Sequence, residues 1–555
     1  MRNWRQYILA VISAGYLFCF LIVPVMMSIK SGFYEDGRLT CFWLGRVFSD
    51  LATREGFINA LLVAATTTAG VFVLAVPLAV IADKYDFRGK RLASAMLMVP
   101  MILPPFVGAL AVRKLLAYQS GSVNLILHAI GLPKIDFLGS GFGGVVILEI
   151  LHLYPIMYLN ALAALGNVDP AMIESARSFG ASGWRIFRKI TLPLIRPGIF
   201  AGGTIVFIWS FTELGTPLMV GYEQILPVQI FHGLNELDTS PKTFSMVFVM
   251  LSSAVGLYAI GKILFGKAAA TSPRATAATA RRAGTAMTMI IWFIFGLVTI
   301  LAMMPHIGVV LMAFARRWSG TILPVSYTFE HFRGIFSQSI TWNSIVNSLH
   351  YASLATVIDV IFGMIIAYLV IRAQIKGAMI LDSLAMMPLA VPGLVIAAGY
   401  VAMTAGGLLA SIGPRFDPTL IIILAYSVRR LPYVVRSISA GLQQSPVALE
   451  EAARNVGAGP MKTTLRITIP LISANILAGA ILAFSFAMLE VSDSLILAQT
   501  PQFYPITKAI YTLAGPADTV NLAAALGTLG MMLLAGTLII ANLLLGKRLG
   551  AMFRV

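Results

Sequence analysis

Two stretches of this chain carry the same residue types at the same spacing, and the pattern suits contact with another macromolecule better than a reaction. Glu174-Ser175-Ala176-Arg177-Ser178-Phe179-Gly180 is followed by Ile190-Thr191-Leu192-Pro193. Glu451-Ala452-Ala453-Arg454-Asn455-Val456-Gly457 is followed, at the same interval, by Ile467-Thr468-Ile469-Pro470. Each reads as a short helix of small residues, a glycine able to turn left-handed, and a basic amphipathic segment stopped by proline. Small side chains let a partner approach closely. A membrane-surface helix would also set basic residues against headgroups, but lipid binding demands no fixed spacing of Glu, Gly, Ile and Pro, and here the set occurs twice. The docking reading is preferred.

A second group with chemical potential lies inside apolar runs. Glu149, Glu213, Asp359, Glu490 and Asp493 are ionisable residues where hydrocarbon is expected, which makes them functional candidates by default. Glu213 and Glu490 occupy matching places in the repeat, and Asp493, three residues on, is expected on the same helix face as Glu490. Glu213, Glu490 and Asp493 read either as a substrate gate or transient cation contact, or as structural carboxylates bonded to a neighbouring helix or to broken backbone near Pro217. Both readings are open at this point. Arg429, Arg430 and Arg436 could pair with acidic residues or face an anionic substrate, but snorkelling or an earlier span end is the favoured reading.

Other patterns carry nothing. Gly256 to Lys262 and Gly261 to Lys267 match the start of a phosphate loop, yet Ile263 and Ala268 stand where Ser or Thr is needed, and no strand precedes them. The six histidines show no metal-binding spacing, and Cys19 and Cys41 are too few for a disulfide framework or a cysteine cluster. No catalytic residue and no metal site emerge.

The elements that must position these residues follow from composition. Of 555 residues 58% are hydrophobic and 11% charged, far below the charge of a soluble domain. Long unbroken apolar runs exclude an outer-membrane barrel, and only helices satisfy their own backbone in lipid. The expectation is an all-α polytopic membrane protein of about twelve transmembrane helices. The apolar stretch after Arg2 and Arg5 is too long for a signal-peptide core and reads as an uncleaved first span. Basic residues concentrate on the side of the termini, so both termini are expected in the cytoplasm of a bacterial inner membrane protein. The net charge of +17 is spread over short loops, which favours membrane topology over nucleic acid binding.

The chain is also internally duplicated. Asn59-Ala60-Leu61 recurs as Asn347-Ser348-Leu349, Pro100 and Pro104 as Pro388 and Pro392, and Pro155 as Pro432. The expected organisation is a first half over 1–266, a small, polar and basic cytoplasmic linker over 267–284, and a second half over 285–555. An even number of spans per half makes the two six-helix repeats parallel, with a pathway between them.

At the duplicated loops the chain resembles the permease subunits of ATP-binding-cassette importers, whose E-A-A…G…I-x-L-P loop is a specific signature. Ser175 replaces the middle alanine of the first copy and Ile469 the usual leucine of the second. The resemblance implies that Glu174, Ala176 and Gly180, with Ile190 and Pro193, form one loop coupled to an ATPase. It implies the same of Glu451, Ala453, Gly457, Ile467 and Pro470. It also implies alternating access driven by two copies of a separate cytoplasmic ATPase, which would bind ATP and Mg, with a periplasmic or extracytoplasmic binding protein delivering substrate. No cofactor is expected in this chain. The fused layout, with Phe211-Thr212-Glu213-Leu214-Gly215-Thr216-Pro217, looks most like bacterial ferric-iron permeases, while relatives import thiamine, polyamines or phosphonates. The alternative of another class is an ion-coupled secondary transporter using Glu213 and Glu490.

Overall fold

The structure, a computed structural model, describes residues 4–35, 37–236, 239–265 and 281–545. Most of it is helical, and the strands form three pairs of two or three residues each. Nine helices among the described residues are long and apolar enough to cross a membrane. Two bent helix pairs raise this to eleven: Lys90–Met101 with Pro105–Leu116, at 88°, and Ala378–Leu389 with Gly393–Met403, at 98°. Helix Thr419–Gln444, 26 residues long and carrying Arg429, Arg430 and Arg436, stands where the tenth span was expected. The protein is thus an all-α polytopic membrane protein of two six-helix repeats.

The bends fall where the sequence repeats prolines. Pro104 and Pro392 sit at the breaks of the third spans, where a missing N–H and a ring clash with the preceding turn end a helix. Pro155 and Pro432, by contrast, lie inside continuous helices, Phe142–Leu165 and Thr419–Gln444. Of the expected linker over 267–284, residues 267–280 lie outside the described residues. Its end is ordered against the first half: Arg281–Arg282 pairs in parallel with Tyr85–Asp86, and the Ala283 amide donates to the Asp86 carbonyl at 2.8 Å.

Contacts divide the chain into two compact units that exchange segments of the sequence halves. One takes the chain up to Ser49, Ile230–Leu251, and the chain from Phe329 through the last described helix; the other takes Asp50–Gln229 and Ser252–Thr328. Within the first unit, Ser339–Tyr368 packs on Thr419–Gln444, which packs on Ile469–Met488. The first span, Trp4–Gly32, lies against this second-half core. A Cβ on Gly399 would come within 2.5 Å of the Pro24 backbone carbon. The Tyr400 hydroxyl donates to the Phe20 carbonyl at 2.8 Å, and the Tyr16 ring stacks on Phe362 at 4.1 Å. Within the other unit, Leu51–Lys84, Phe142–Leu165 and Leu192–Phe211 pack in the same succession. Helix Thr285–Phe314, which opens the second half of the sequence, packs on Pro105–Leu116. Here a Cβ on Gly308 would meet the Ala111 and Leu115 side chains at 2.7 Å. Lipid tails are as apolar as the helices, so such crossings depend on close packing at small residues.

Gly399→Ala is expected to lower stability by about 1–3 kcal/mol, because the methyl group must displace backbone. Gly256→Ala, whose Cβ would meet nothing within 4 Å, is expected to be neutral or stabilising by about 0.5 kcal/mol through helix propensity. Thermal unfolding of the detergent-solubilised variants checks both.

Candidate functional site

The duplicated loops fold alike. Helix Pro170–Ser178 is capped by Asp169, whose carboxylate accepts from the Ala171 amide at 2.9 Å. It ends at Gly180, φ +78°, where the Gly180 amide donates to the Arg177 carbonyl at 2.8 Å and the Ala181 amide to the Ala176 carbonyl at 3.0 Å. Helix Val447–Asn455 ends in the same way at Gly457, φ +87°. There the Gly457 amide donates to the Arg454 carbonyl at 2.9 Å, and the Ala458 amide to the Ala453 carbonyl at 3.0 Å. This is the left-handed helix stop that glycine permits. A wide π turn then follows in each copy, Phe187–Thr191 and Thr464–Thr468, before the long helices that begin at Leu192 and Ile469 with Pro193 and Pro470 in their first turns.

The side chains divide by role. Glu174 and Glu451 are exposed, as are Gly180, Gly457, Pro193 and Pro470, whereas Ile190 and Ile467 are half-buried. Ala453 is buried and Ala176 partly so, on the face towards the rest of the protein. A Cβ on Gly180 or Gly457 would meet nothing within 4 Å, so the space above each turn is open. Around it stand large apolar residues that the sequence reading passed over: Phe179 and Trp184 in the first loop, 90% and 70% exposed, and Val456 and Met461 in the second, 85% and 74% exposed. They occupy matching positions in the two copies, and that was the available signal. Clustered apolar exposure beside a turn open to approach suits contact with a partner protein or with the membrane surface.

The intramembrane carboxylates are placed differently from expectation. Helix Leu192–Phe211 stops before Glu213, which lies in a break ahead of Gly215–Val220. The Glu213 Oε1 accepts from the Thr216 amide at 3.1 Å and from its hydroxyl at 3.2 Å, satisfying a donor that a helix start leaves open. Glu490 lies in the matching break between Ile469–Met488 and Ser492–Leu497, so it precedes the short helix that carries Asp493 and does not share a helix face with it. Glu490 is buried and pairs with Arg429 at 2.7 Å and with Arg430; Asp493 lies 3.5 Å from Arg429. Arg429 and Arg430 therefore do not snorkel; they answer carboxylates in the middle of a continuous helix. Arg436 is exposed, with its Nε 3.1 Å from the Met386 sulfur.

Each half also buries a second carboxylate under hydroxyl donors. Glu149 accepts from Thr67 at 3.2 Å and from Ser210, and Asp359 accepts from Ser427 at 2.6 Å, with the Tyr16 hydroxyl 2.6 Å from the same serine. No motif or period marks Lys508, on helix Ile506–Ala514 between the last two spans. Its ammonium donates to the Leu495 carbonyl at 2.8 Å and lies 5.7 Å from the rings of Phe231 and Tyr504. Burial pushes its pKa down to about 8. Among the described residues no group of three or more His, Cys, Asp or Glu could hold a metal ion.

Comparison with known proteins follows the same duplication. The family described as "Binding-protein-dependent transport system inner membrane component" matches twice, over residues 75–269 and 359–551, each match containing one of the two loops. The ferric transport system permease protein FbpB of Actinobacillus pleuropneumoniae is 27% identical over 500 residues, covering 86% of this chain and 69% of that protein. The molybdenum transport system permease protein ModB of Escherichia coli K12 is 33% identical over 183 residues, covering 31% of this chain and 79% of that protein. Among solved structures, a bacterial ABC transporter involved in alginate import is 20% identical with a TM-score of 0.41, covering 48% of this chain and 97% of that chain.

Arg429→Met is expected to cost about 3 kcal/mol, because removing one partner of a buried pair strands its carboxylates. Glu213→Gln keeps an acceptor for Thr216 and is expected to cost about 1 kcal/mol. Chemical denaturation of the two variants in detergent measures the difference.

Proposed function

Because the chain belongs to the binding-protein-dependent transport system inner membrane components, we propose that it is the permease of an ATP-driven importer in which ferric iron is the substrate. The observation that carries the reading is the pair of exposed loops, alike in backbone and each carrying a glycine turn open to a partner. Separate ATPase subunits, two copies of one cytoplasmic protein, would seat on the loops at Glu174, Gly180, Glu451 and Gly457 and on the apolar residues beside them. ATP and Mg belong to those subunits. A binding protein on the opposite side delivers substrate. Both termini then lie in the cytoplasm, on the side of the loops.

The working cycle is alternating access. Closure of the ATPase pair moves both loops, and the helices that start at Leu192 and Ile469, directly after the π turns, move with them. Ferric iron is favoured as substrate because a relative matched along 86% of this chain is a ferric permease, while ModB matches only 31% of it. The breaks at Glu213 and Glu490, with Asp493 beside the second, are the proposed lining of the substrate pathway, the second break acting through its ion pairs with Arg429 and Arg430 and not as a free cation ligand. An ion-coupled carrier needs carboxylates free to release their cation, and Glu490 is committed to two guanidiniums.

Purifying the chain with its ABC ATPase tests the reading. In Gly180→Asp/Gly457→Asp the side chains enter open space at a backbone strain of about 1–2 kcal/mol each, so the protein should stay folded. The expected result is loss of the ATPase from the complex and loss of ATP turnover. Retention of both in the double variant would remove the loops from the coupling role.

A further inference from the structure

The two loops share a backbone but are fastened to the protein by different forces. In the second half the fastening is ionic and buried. The Arg372 Nε lies 3.0 Å from the Glu450 Oε1, with the two side chains 8% and 1% exposed. Arg372 also donates to the Ser445 carbonyl at 2.8 Å, the Thr468 hydroxyl donates to the same Glu450 oxygen at 3.2 Å, and Arg454 lies 3.6 Å from the other. Arg372 lies in the turn that closes the second span of its half, Ser445 follows helix Thr419–Gln444, Glu450 and Arg454 are on the loop helix, and Thr468 enters helix Ile469–Met488. One ion pair thus ties the loop helix to three spans.

Among the described residues the first half shows no equivalent ion pair. Counted from Asn59 and Asn347, Lys84 falls opposite Arg372; counted back from Glu174 and Glu451, Ile173 falls opposite Glu450. An isoleucine offers no charge to pair. Ile173 instead packs on an apolar cluster, Lys84 lies 5.2 Å over the Tyr85 ring, and the loop helix has its own Asp169 cap where the second has Pro446. Apolar packing is non-directional and lets a helix slide, whereas a buried, hydrogen-bonded charge pair holds direction and distance.

We propose that the Arg372–Glu450 pair is a strut that makes the second loop move rigidly with its spans, while the first loop moves against its own, so that the two ATPase contacts are mechanically unequal. Arg372 and Glu450 are positioning residues in this scheme, which rests on the importer reading above.

The test uses the full chain in complex with its ABC ATPase, lacking Cys19 and Cys41 and spin-labelled in pairs. One pair joins Lys376→Cys to Leu449→Cys across the second-half strut, and the other joins the matching Arg88→Cys to Met172→Cys in the first half. On adding ATP, the first-half distance is expected to shift and the second-half distance to stay fixed. Arg372→Met should make the second-half pair shift as well, and Arg372→Glu/Glu450→Arg should fix it again, a rescue that loss of folding could not produce. A second-half pair that already shifts in the parent, stays fixed in Arg372→Met, or is not restored by charge reversal overturns the strut. If the parent chain captures no ATPase at all, the importer reading falls first and the strut has no stroke to carry.

Discussion

A charge or an unpaired backbone group in hydrocarbon has no water to turn to, and the rest of this structure is arranged around that constraint. Most of the chain meets it with unbroken helices. Where helices break, another group is supplied: Thr216 beneath Glu213 in the first half, and the guanidiniums of Arg429 and Arg430 around Glu490 in the second. The buried carboxylates Glu149 and Asp359 are likewise placed under serine and threonine hydroxyls. A break or a charge persists at such depth only where its partners come from packed neighbours. This couples local irregularity to the position of whole spans.

The same constraint accounts for the exchange of first spans. A third span bent by about a right angle exposes small residues and loosened turns, and a long helix carrying its own proline covers them in each unit. Gly399 accepts the backbone at Pro24 and Gly308 accepts Ala111, close approaches that larger residues would forbid. The two halves of the sequence are therefore repeats without being the compact units.

Features set by local chemistry were legible in the sequence. The apolar runs located the helices, the repeated prolines marked the duplication, and the spacing of Glu, Gly, Ile and Pro located loops whose glycine turns are now seen at φ +78° and +87°. Long-range features left no such trace. Arg429 and Glu490 are far apart in sequence with no period linking them, so an inward pair looked the same as snorkelling side chains. Helix ends at Phe211 and Met488 were missed because the apolar run continues past them; the break is made by side-chain partners, which hydropathy does not register. Lys508 was invisible for the same reason, its surroundings being assembled from Phe231, Leu495, Tyr504 and Tyr511.

Fusion into one chain explains why the halves can differ as they do. In a dimer of identical subunits any charge placed beside the matching break appears twice, and its partner must appear twice as well. Here Arg429 and Asp493 stand opposite His152 and Thr216, so one break is closed by ion pairs and the other by a helix start. Glu149 and Asp359 are a second case, carboxylates that answer similar donors from different helices and different positions of the repeat. The backbone symmetry needed for two loops to seat on two like partners is kept, because turns and prolines set it. The side chains beneath are released from symmetry, so each half can hold its own spans with its own strength.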